Sequence, residues 1–494
     1  MHICKIYTAV NMCFCFFGVA ITHLNWYTVY TYIIMQRGMP MKLTVIGGGG
    51  VRSMFLAKSI AQAAEELNID KLVFMDTDSE KLRIYGGMAA KIVKLLCPKL
   101  KFSCTDNVVE AFIGADYVIT AIRVGGDDMR VCDERTALSN GVIGQETTGA
   151  AGFSFAMRSI PALIDYCEYI KKYAKPDVKV FNFTNPAGLV SQALRDAGYD
   201  FTFGICDAPT SMLASFAELL SISTEEISGE LFGLNHLSFF SSVTAGGRNI
   251  LPKLIESDIA YERTDMRYFD KALLMKKQLI PNEYLYYYYS REKAFENING
   301  ASETRGEQIA RLNKAMTAEL ADKDILNDFN GCLKIFDKYY GMRENSYMAS
   351  ETGVARNTEW HFNPFSKDTG GYAGVALKYI RLKASGKPGK MIMCVPNDGA
   401  VAFLKATDIV EVTCDVTPDG VFPHAFDITD EDTAELIRRM KLYERNAAAA
   451  ILARDRDLAI SALMLHPLIE SYSLAVTLVD SYIELNKDYS DNWK

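Results

Sequence analysis

Positive charge is not in excess in this sequence: 53 lysines and arginines face 61 aspartates and glutamates, for a net charge of −8. A nucleic-acid backbone asks for a basic face, so nucleic acid is not expected as a partner. An anionic small substrate stays open, because a few local arginines can hold one phosphate. Paired cysteine spacing is missing too. Eleven cysteines lie at positions 4, 13, 15, 97, 104, 132, 167, 206, 332, 394 and 414 with no CxxC motif, which argues against a disulfide framework and a zinc motif. The plain reading is a reducing compartment, the cytoplasm, with most of these residues serving as small core hydrophobes. No internal repeat or low-complexity linker interrupts the chain. What remains is ordinary globular composition, 49% hydrophobic and 23% charged over 494 residues, sufficient for two or three lobes.

Residues 1–40 differ from the rest. They contain Lys5 and Arg37 but no acidic residue, and Val10–Ile34 is strongly apolar. Asn11, His23 and Asn25 interrupt that run, and no small-x-small cleavage site follows. The segment reads as an extension from an upstream start with Met41 as the first functional residue, the alternative being a weak membrane-like segment. A membrane partner is not expected.

From Met41 a regular rhythm begins. Lys42–Ile46 is a short apolar strand, Gly47–Gly50 a tight turn, and Met54 to about Leu67 a helix. Leu72–Met75 is a second buried strand ending in Asp76, followed by a charged helix over 79–96 and strands near 101–103, 117–122, 178–184 and 201–206. Short apolar strands separated by amphipathic helices predict a Rossmann-type, doubly wound parallel sheet over 41–240. Beyond it, helical patterns at 271–289, 301–321 and 432–480 and strand-like runs at 391–395 and 409–414 predict a second, mixed α+β domain over 241–494.

The turn Gly47-Gly48-Gly49 sits between a strand and a helix, where backbone N–H groups and a helix N-terminus can approach a pyrophosphate. Asp76 at the next strand end can accept from both ribose hydroxyls, which favours NAD over NADP. The third fingerprint glycine is absent, because Arg52 stands there. Further strand ends carry Asn185, Cys206 with Asp207, and His236, and Gly144–Gly149 is a polar loop before a helix near Gly152. A thiolate and an imidazole can share a divalent metal. Each also has a duller reading: a core cysteine, a satisfied polar histidine, an ordinary Asn-Pro helix entry.

Taken together, the segments IGGGG, IRVGG, GQETTG, NFTNPAG, GICDAP, GLNHLSF and PNEYLYYYY, in this order, resemble glycoside hydrolase family 4 from residue 41 to about 480. The resemblance implies NAD and Mn²⁺ as cofactors and a phosphorylated disaccharide or glycoside as substrate. It makes Cys206 and His236 the metal ligands, Tyr284 the catalytic base and Asp207 an acid. Asn185, Arg130 and Arg305 become substrate contacts, and the assembly a homodimer or homotetramer. The implied reaction is transient oxidation at carbon 3, proton abstraction at carbon 2 and elimination of the aglycone, outside the usual two-carboxylate scheme. GQETTG, NFTNPAG and GLNHLSF look closer to the 6-phospho-β-glucosidases, and so do Leu279 and Ile280, where α members carry an acid. Asp207 speaks for the α-glucosidases. The expectation is β, with α, or a hydroxy-acid dehydrogenase on the same fold, as alternatives.

Overall fold

The computed structural model describes residues 40–356, 359–367 and 371–494. The reading of residues 1–40 therefore lies, apart from Pro40, outside the described residues. Residues 42–494 form one compact unit.

Six short strands build its centre: β1 (Met41–Ile46), β2 (Ile69–Met75), β3 (Lys101–Thr105), β4 (Tyr117–Thr120), β5 (Lys179–Asn182) and β6 (Thr202–Gly204). They pair in parallel in the order β3-β2-β1-β4-β5-β6. That is the Rossmann order, with its switch between β1 and β4. The strands read as apolar runs because the central ones are covered on both faces. Ile46, Val73, Val118 and Val180 share a buried cluster with Phe112 and Ile170 from the covering helices. The doubly wound fold expected from the sequence is the one observed.

Crossover helices carry the chain between strands. Those that matter for the site are α1 (Ser53–Leu67), α2 (Gly126–Ser139), α3 (Gly149–Tyr173), α4 (Ala187–Asp196) and α5 (Ala208–Leu220). Helix α3 begins at Gly149 rather than near Gly152. The predicted helix over 79–96 contains a π-helical stretch, Leu82–Gly86, where Gly86 packs so closely that a Cβ would meet Cys104 Sγ at 2.7 Å.

After α5 the chain forms an antiparallel sheet from β7 (Ile227–Leu234), β8 (Leu237–Ala245), β9 (Arg248–Asn249) and β10 (Ile280–Pro281). The region 271–289, expected to be helical throughout, is broken: Gln278 turns at φ 52° and Pro281 cannot continue a helix. Helices α6 (Arg305–Ala321) and α7 (Phe329–Asn345) follow. A capping box between Thr304 and Glu307 starts α6.

The strand-like runs of the C-terminal half do not stay in a separate lobe. Strands β11 (Gly389–Pro396), β12 (Ile409–Val416) and β13 (Val421–Pro423) extend the large sheet antiparallel beyond β6, giving nine strands. The short β6 would otherwise expose an unpaired edge. Thr413 on β12 also hydrogen-bonds Leu231 N and Gly229 O of β7, which ties the two sheets together. The helical pattern at 432–480 resolves into α8 (Glu431–Ala453), α9 (Arg456–Leu465) and α10 (Tyr472–Leu485), with a left-handed stop at Arg454.

Candidate active site

The functional candidates gather along the carboxyl edge of the parallel sheet, where open α/β sheets bind ligands. After β1, Gly47 turns at φ 93°, and a Cβ there would meet Ala121 O at 2.4 Å. Gly48 passes so close to β2 that a Cβ would lie 2.5 Å from Phe74 Cβ. Gly49 N donates to Asp76 Oδ2 at 2.8 Å, and Asp78 N donates to Oδ1 at 3.1 Å. Each carboxylate oxygen keeps a further lone pair for an incoming hydroxyl. Arg52, in place of the third glycine, precedes α1 with Asp207, Glu344 and Tyr340 around its guanidinium. It thus links the glycine turn to the far side of the crevice.

Cys206 follows β6 one residue before Asp207, which stands at the N-cap position of α5 without a side-chain capping bond. His236 occupies the turn between β7 and β8 at φ 62°, a conformation rare for a side chain with a Cβ. The two meet: Cys206 Sγ lies 3.6 Å from His236 Nε2. The ring of Tyr284 stacks flat on that of His236, with centroids 3.8 Å apart and planes 2° from parallel. Asn282 Oδ1 accepts from Tyr284 N at 3.0 Å and fixes the short turn that carries the tyrosine.

Burial governs the charge states here. It pushes the Cys206 thiol well up, with Glu411 and Asp207 adding to the shift. It pushes His236 down to about 4. Burial also raises the Tyr284 phenol, and Glu283, Glu146 and Cys206 raise it further. Asp207 rises for the same reason, partly offset by Arg52. The trio Cys206, His236 and Tyr284 therefore rests neutral, and a cation among them would favour thiolate and phenolate. Sulfur and neutral nitrogen suit a borderline divalent ion. Among the described residues no three His, Cys, Asp or Glu side chains form a metal-holding group. Two protein donors leave coordination positions open, as catalytic rather than structural sites do.

The guanidinium groups divide into two kinds. Arg130 on α2 donates Nε to Glu134 at 2.8 Å and places Nη1 2.7 Å from Glu146, a residue also paired with Arg123 at 2.7 Å. Burial disfavours the Glu146 carboxylate, yet Arg123 and Arg130 hold its pKa below the usual range. Among the described residues, Arg305 at the start of α6 hydrogen-bonds to neutral acceptors, Gln308 Oε1 at 2.7 Å, Ser346 Oγ at 2.6 Å and Arg343 O at 2.8 Å, with Glu351 and Glu344 favouring its charge without a hydrogen bond. Burial and the nearby Arg130 both disfavour its charge. Arg343 on α7 is similar. Its Nη1 donates to Asn313 Oδ1 at 3.1 Å, and burial, with Arg52 and Arg305 nearby, lowers it to about 10. Asn185 stands half-buried between β5 and α4.

The structure thus brings Cys206, His236 and Tyr284 into contact, joins Gly49 to Asp76, and sets Arg130 and Arg305 within electrostatic reach of each other. Sequence reasoning did not single out Glu146, Thr147, Arg343 or Glu411. The GQETTG segment held a signal for the first two. Arg343 and Glu411 had none, being one arginine in a helix and one acid in a strand.

The chain is similar to known proteins along most of its length. A model described as "Family 4 glycosyl hydrolase" matches residues 42–222, and its C-terminal domain model matches 231–469. A 6-phospho-beta-glucosidase of Thermotoga maritima is 29% identical over 91% of this chain and 99% of its own length. A maltose-6'-phosphate glucosidase of Clostridium acetobutylicum is 27% identical over 90% and 98%. The T. maritima enzyme solved with manganese, NAD⁺ and glucose-6-phosphate superposes with a TM-score of 0.75 at 28% identity, covering 91% of this chain and 99% of that one. A 6-phospho-alpha-glucosidase from gut microorganisms, solved with NAD and Mn²⁺, gives 0.76 at 25% identity, covering 92% and 100%.

Proposed function

The chain belongs to the family 4 glycosyl hydrolases, and on that premise we propose that it hydrolyses 6-phospho-β-glucosides with NAD and Mn²⁺ as cofactors. The observation that carries the reading is the contact trio: a thiol 3.6 Å from an imidazole nitrogen, with a tyrosine ring stacked on that imidazole. A hydroxy-acid dehydrogenase on the same fold would leave that trio without work.

Cys206 and His236 would hold the metal, and Gly47, Gly48, Gly49 and Asp76 the dinucleotide. When bound, NAD accepts and returns a sugar hydride while the divalent ion polarises the oxidised sugar. Arg305 supplies a half-buried cation with donors to spare, and Arg343 lies beside it, which supports an anionic subsite for the sugar phosphate. Arg130, clamped by Glu134 and Glu146, orients the neighbouring sugar hydroxyls, and Asn185 does so from the end of β5. Tyr284 takes the proton from carbon 2, its phenol needing the adjacent cation to ionise near neutral pH. Asp207, its carboxyl pushed up by burial, gives a proton to the leaving oxygen.

The β preference rests on GQETTG, NFTNPAG and GLNHLSF. The α reading is favoured by Asp207, and relatives of both kinds are similar to this chain. Among the described residues no helix is long and apolar enough to cross a membrane. Eight described cysteines are free, which supports a cytoplasmic location, and a homodimer or homotetramer completes the proposal. Phosphorylated α- and β-glycosides, each assayed with and without NAD⁺ and Mn²⁺ while NADH absorbance is followed, test it. Aglycone release that needs both cofactors without net NADH is the expected result. Steady NADH accumulation without aglycone release would overturn it in favour of the dehydrogenase.

A further inference from the structure

The GQETTG segment holds, beside Glu146, a network of neutral buried side chains. Its Gln145 side chain bends back on its own loop: Oε1 accepts from Thr147 N at 2.7 Å, Thr148 N at 2.8 Å and Thr147 Oγ1 at 2.9 Å. Two of these donors are backbone N–H groups, which can only donate. The atom they reach must therefore be the amide oxygen, so the orientation of the Gln145 amide is settled by its partners.

The next link follows from the hydroxyl. Thr147 Oγ1 carries one hydrogen, and an amide oxygen can only accept it. With that hydrogen committed to Gln145, the hydroxyl presents lone pairs elsewhere. His236 Nδ1 lies 3.1 Å from Thr147 Oγ1, so Nδ1 must carry the ring hydrogen and donate it. A neutral imidazole has one N–H, and Nε2 is then left with its lone pair. That nitrogen is the one 3.6 Å from Cys206 Sγ. Thr147 is buried, as are Gln145 and His236, so water does not readily substitute in the chain. The Tyr284 ring covers a face of the imidazole, and a face offers no in-plane hydrogen bond that would set the tautomer.

We propose that Gln145 and Thr147 are positioning residues that lock His236 as its Nδ1–H tautomer, aiming the Nε2 lone pair at the space shared with Cys206. The inference deepens the metal-site reading above and rests on it for its consequence, though not for the tautomer itself. Ligating histidines commonly owe their orientation to such a partner on the other ring nitrogen, and its loss typically weakens metal binding by about 10–100-fold.

The test has two arms on the full chain. In metal-free protein labelled with ¹⁵N-histidine, long-range ¹H–¹⁵N correlations identify which ring nitrogen of His236 bears the proton. The signal is assigned by its absence in His236→Gln. The Nδ1–H form is expected. In the second arm, Mn²⁺ binding is titrated by the loss of the free-ion EPR signal. Thr147→Val keeps the shape but not the hydroxyl, and should raise the Mn²⁺ dissociation constant about 10–100-fold while NAD⁺ binding is kept. Thr147→Ser restores the hydroxyl and should restore affinity. An Nε2–H signal in the native chain overturns the proposal, as does native Mn²⁺ affinity in Thr147→Val. A valine variant that fails to fold leaves the native tautomer to decide. A native chain that shows Nδ1–H yet binds no Mn²⁺ sinks the metal reading and leaves the tautomer lock standing.

Discussion

Replacing Arg305 by alanine isolates the phosphate term of the proposed specificity. A guanidinium has five N–H donors, and three hydrogen bonds to Gln308, Ser346 and Arg343 O engage it in this structure. Two donors remain for a phosphate oxygen. Hydrogen bonds to a charged group contribute about 1.5–3 kcal/mol each, and burial limits the screening that weakens surface pairs. Losing two of them should cost about 3–6 kcal/mol, or about two to four decades in kcat/KM at roughly 1.4 kcal/mol per decade. The penalty should fall on phosphorylated substrates. The assay compares a chromogenic 6-phosphoglucoside with its unphosphorylated parent in the native chain, Arg305→Ala and Arg305→Lys. The lysine variant keeps the charge without the planar fork and should fall between the other two. Ser346 retains a bond to Met342 O at 2.7 Å, so the fold should survive, with a loss of about 1–3 kcal/mol in stability. The reasoning fails if Arg305→Ala lowers both substrates equally, or if the native chain does not discriminate between them.

Hydrolysis in D₂O should place deuterium at carbon 2 of the released sugar phosphate, and Tyr284→Phe should stay folded, bind NAD⁺ and lose a factor of about 10²–10⁴ in rate. Protium at carbon 2, with no exchange of product, would refute the elimination route, whereas full activity of the phenylalanine variant would refute only the choice of base. Chelation should abolish activity and Mn²⁺ restore it under reducing conditions, with Cys206→Ala and His236→Ala each failing to bind Mn²⁺ by EPR; stoichiometric metal in either variant removes that ligand. Glu411 gives a pH prediction: burial lifts its carboxyl from 4.5 to about 7, against hydrogen bonds from Asn235 and Ser238. The folded chain then holds a proton that the unfolded chain releases between those values, so this contribution to stability is intact below pH 4.5 and is lost as pH rises through about 7. Glu411→Gln mimics the protonated acid, with the Ser238 hydroxyl turning to accept, and should gain about 3 kcal/mol relative to the native chain between pH 4.5 and 8 in urea unfolding. A pH-independent difference would contradict it.

Local patterns determined a great deal. The glycine turn after an apolar strand, with an acid ending the next strand, is a short-range code. Gly48 has space for no side chain against Phe74, and Gly49 N reaches Asp76 across neighbouring strands. Strand ends in a parallel sheet all point to one edge, so Asn185 and Cys206 could be placed at the crevice from periodicity. Other features depended on distant segments. Cys206 and His236 are joined because the β7–β8 turn meets the segment that follows β6, and no spacing in the sequence encodes that distance. Strands β11 to β13 read as part of a second lobe because their alternation says strand without saying which edge they cover; the exposed edge of β6 selected them. Arg130, Arg305 and Arg343 look alike as letters in helices. Only burial and partner charge separate the arginine clamped by two carboxylates from the two held by neutral acceptors. Periodicity is a property of neighbours along the chain, whereas the electrostatic state of a side chain is set by whatever the fold brings beside it.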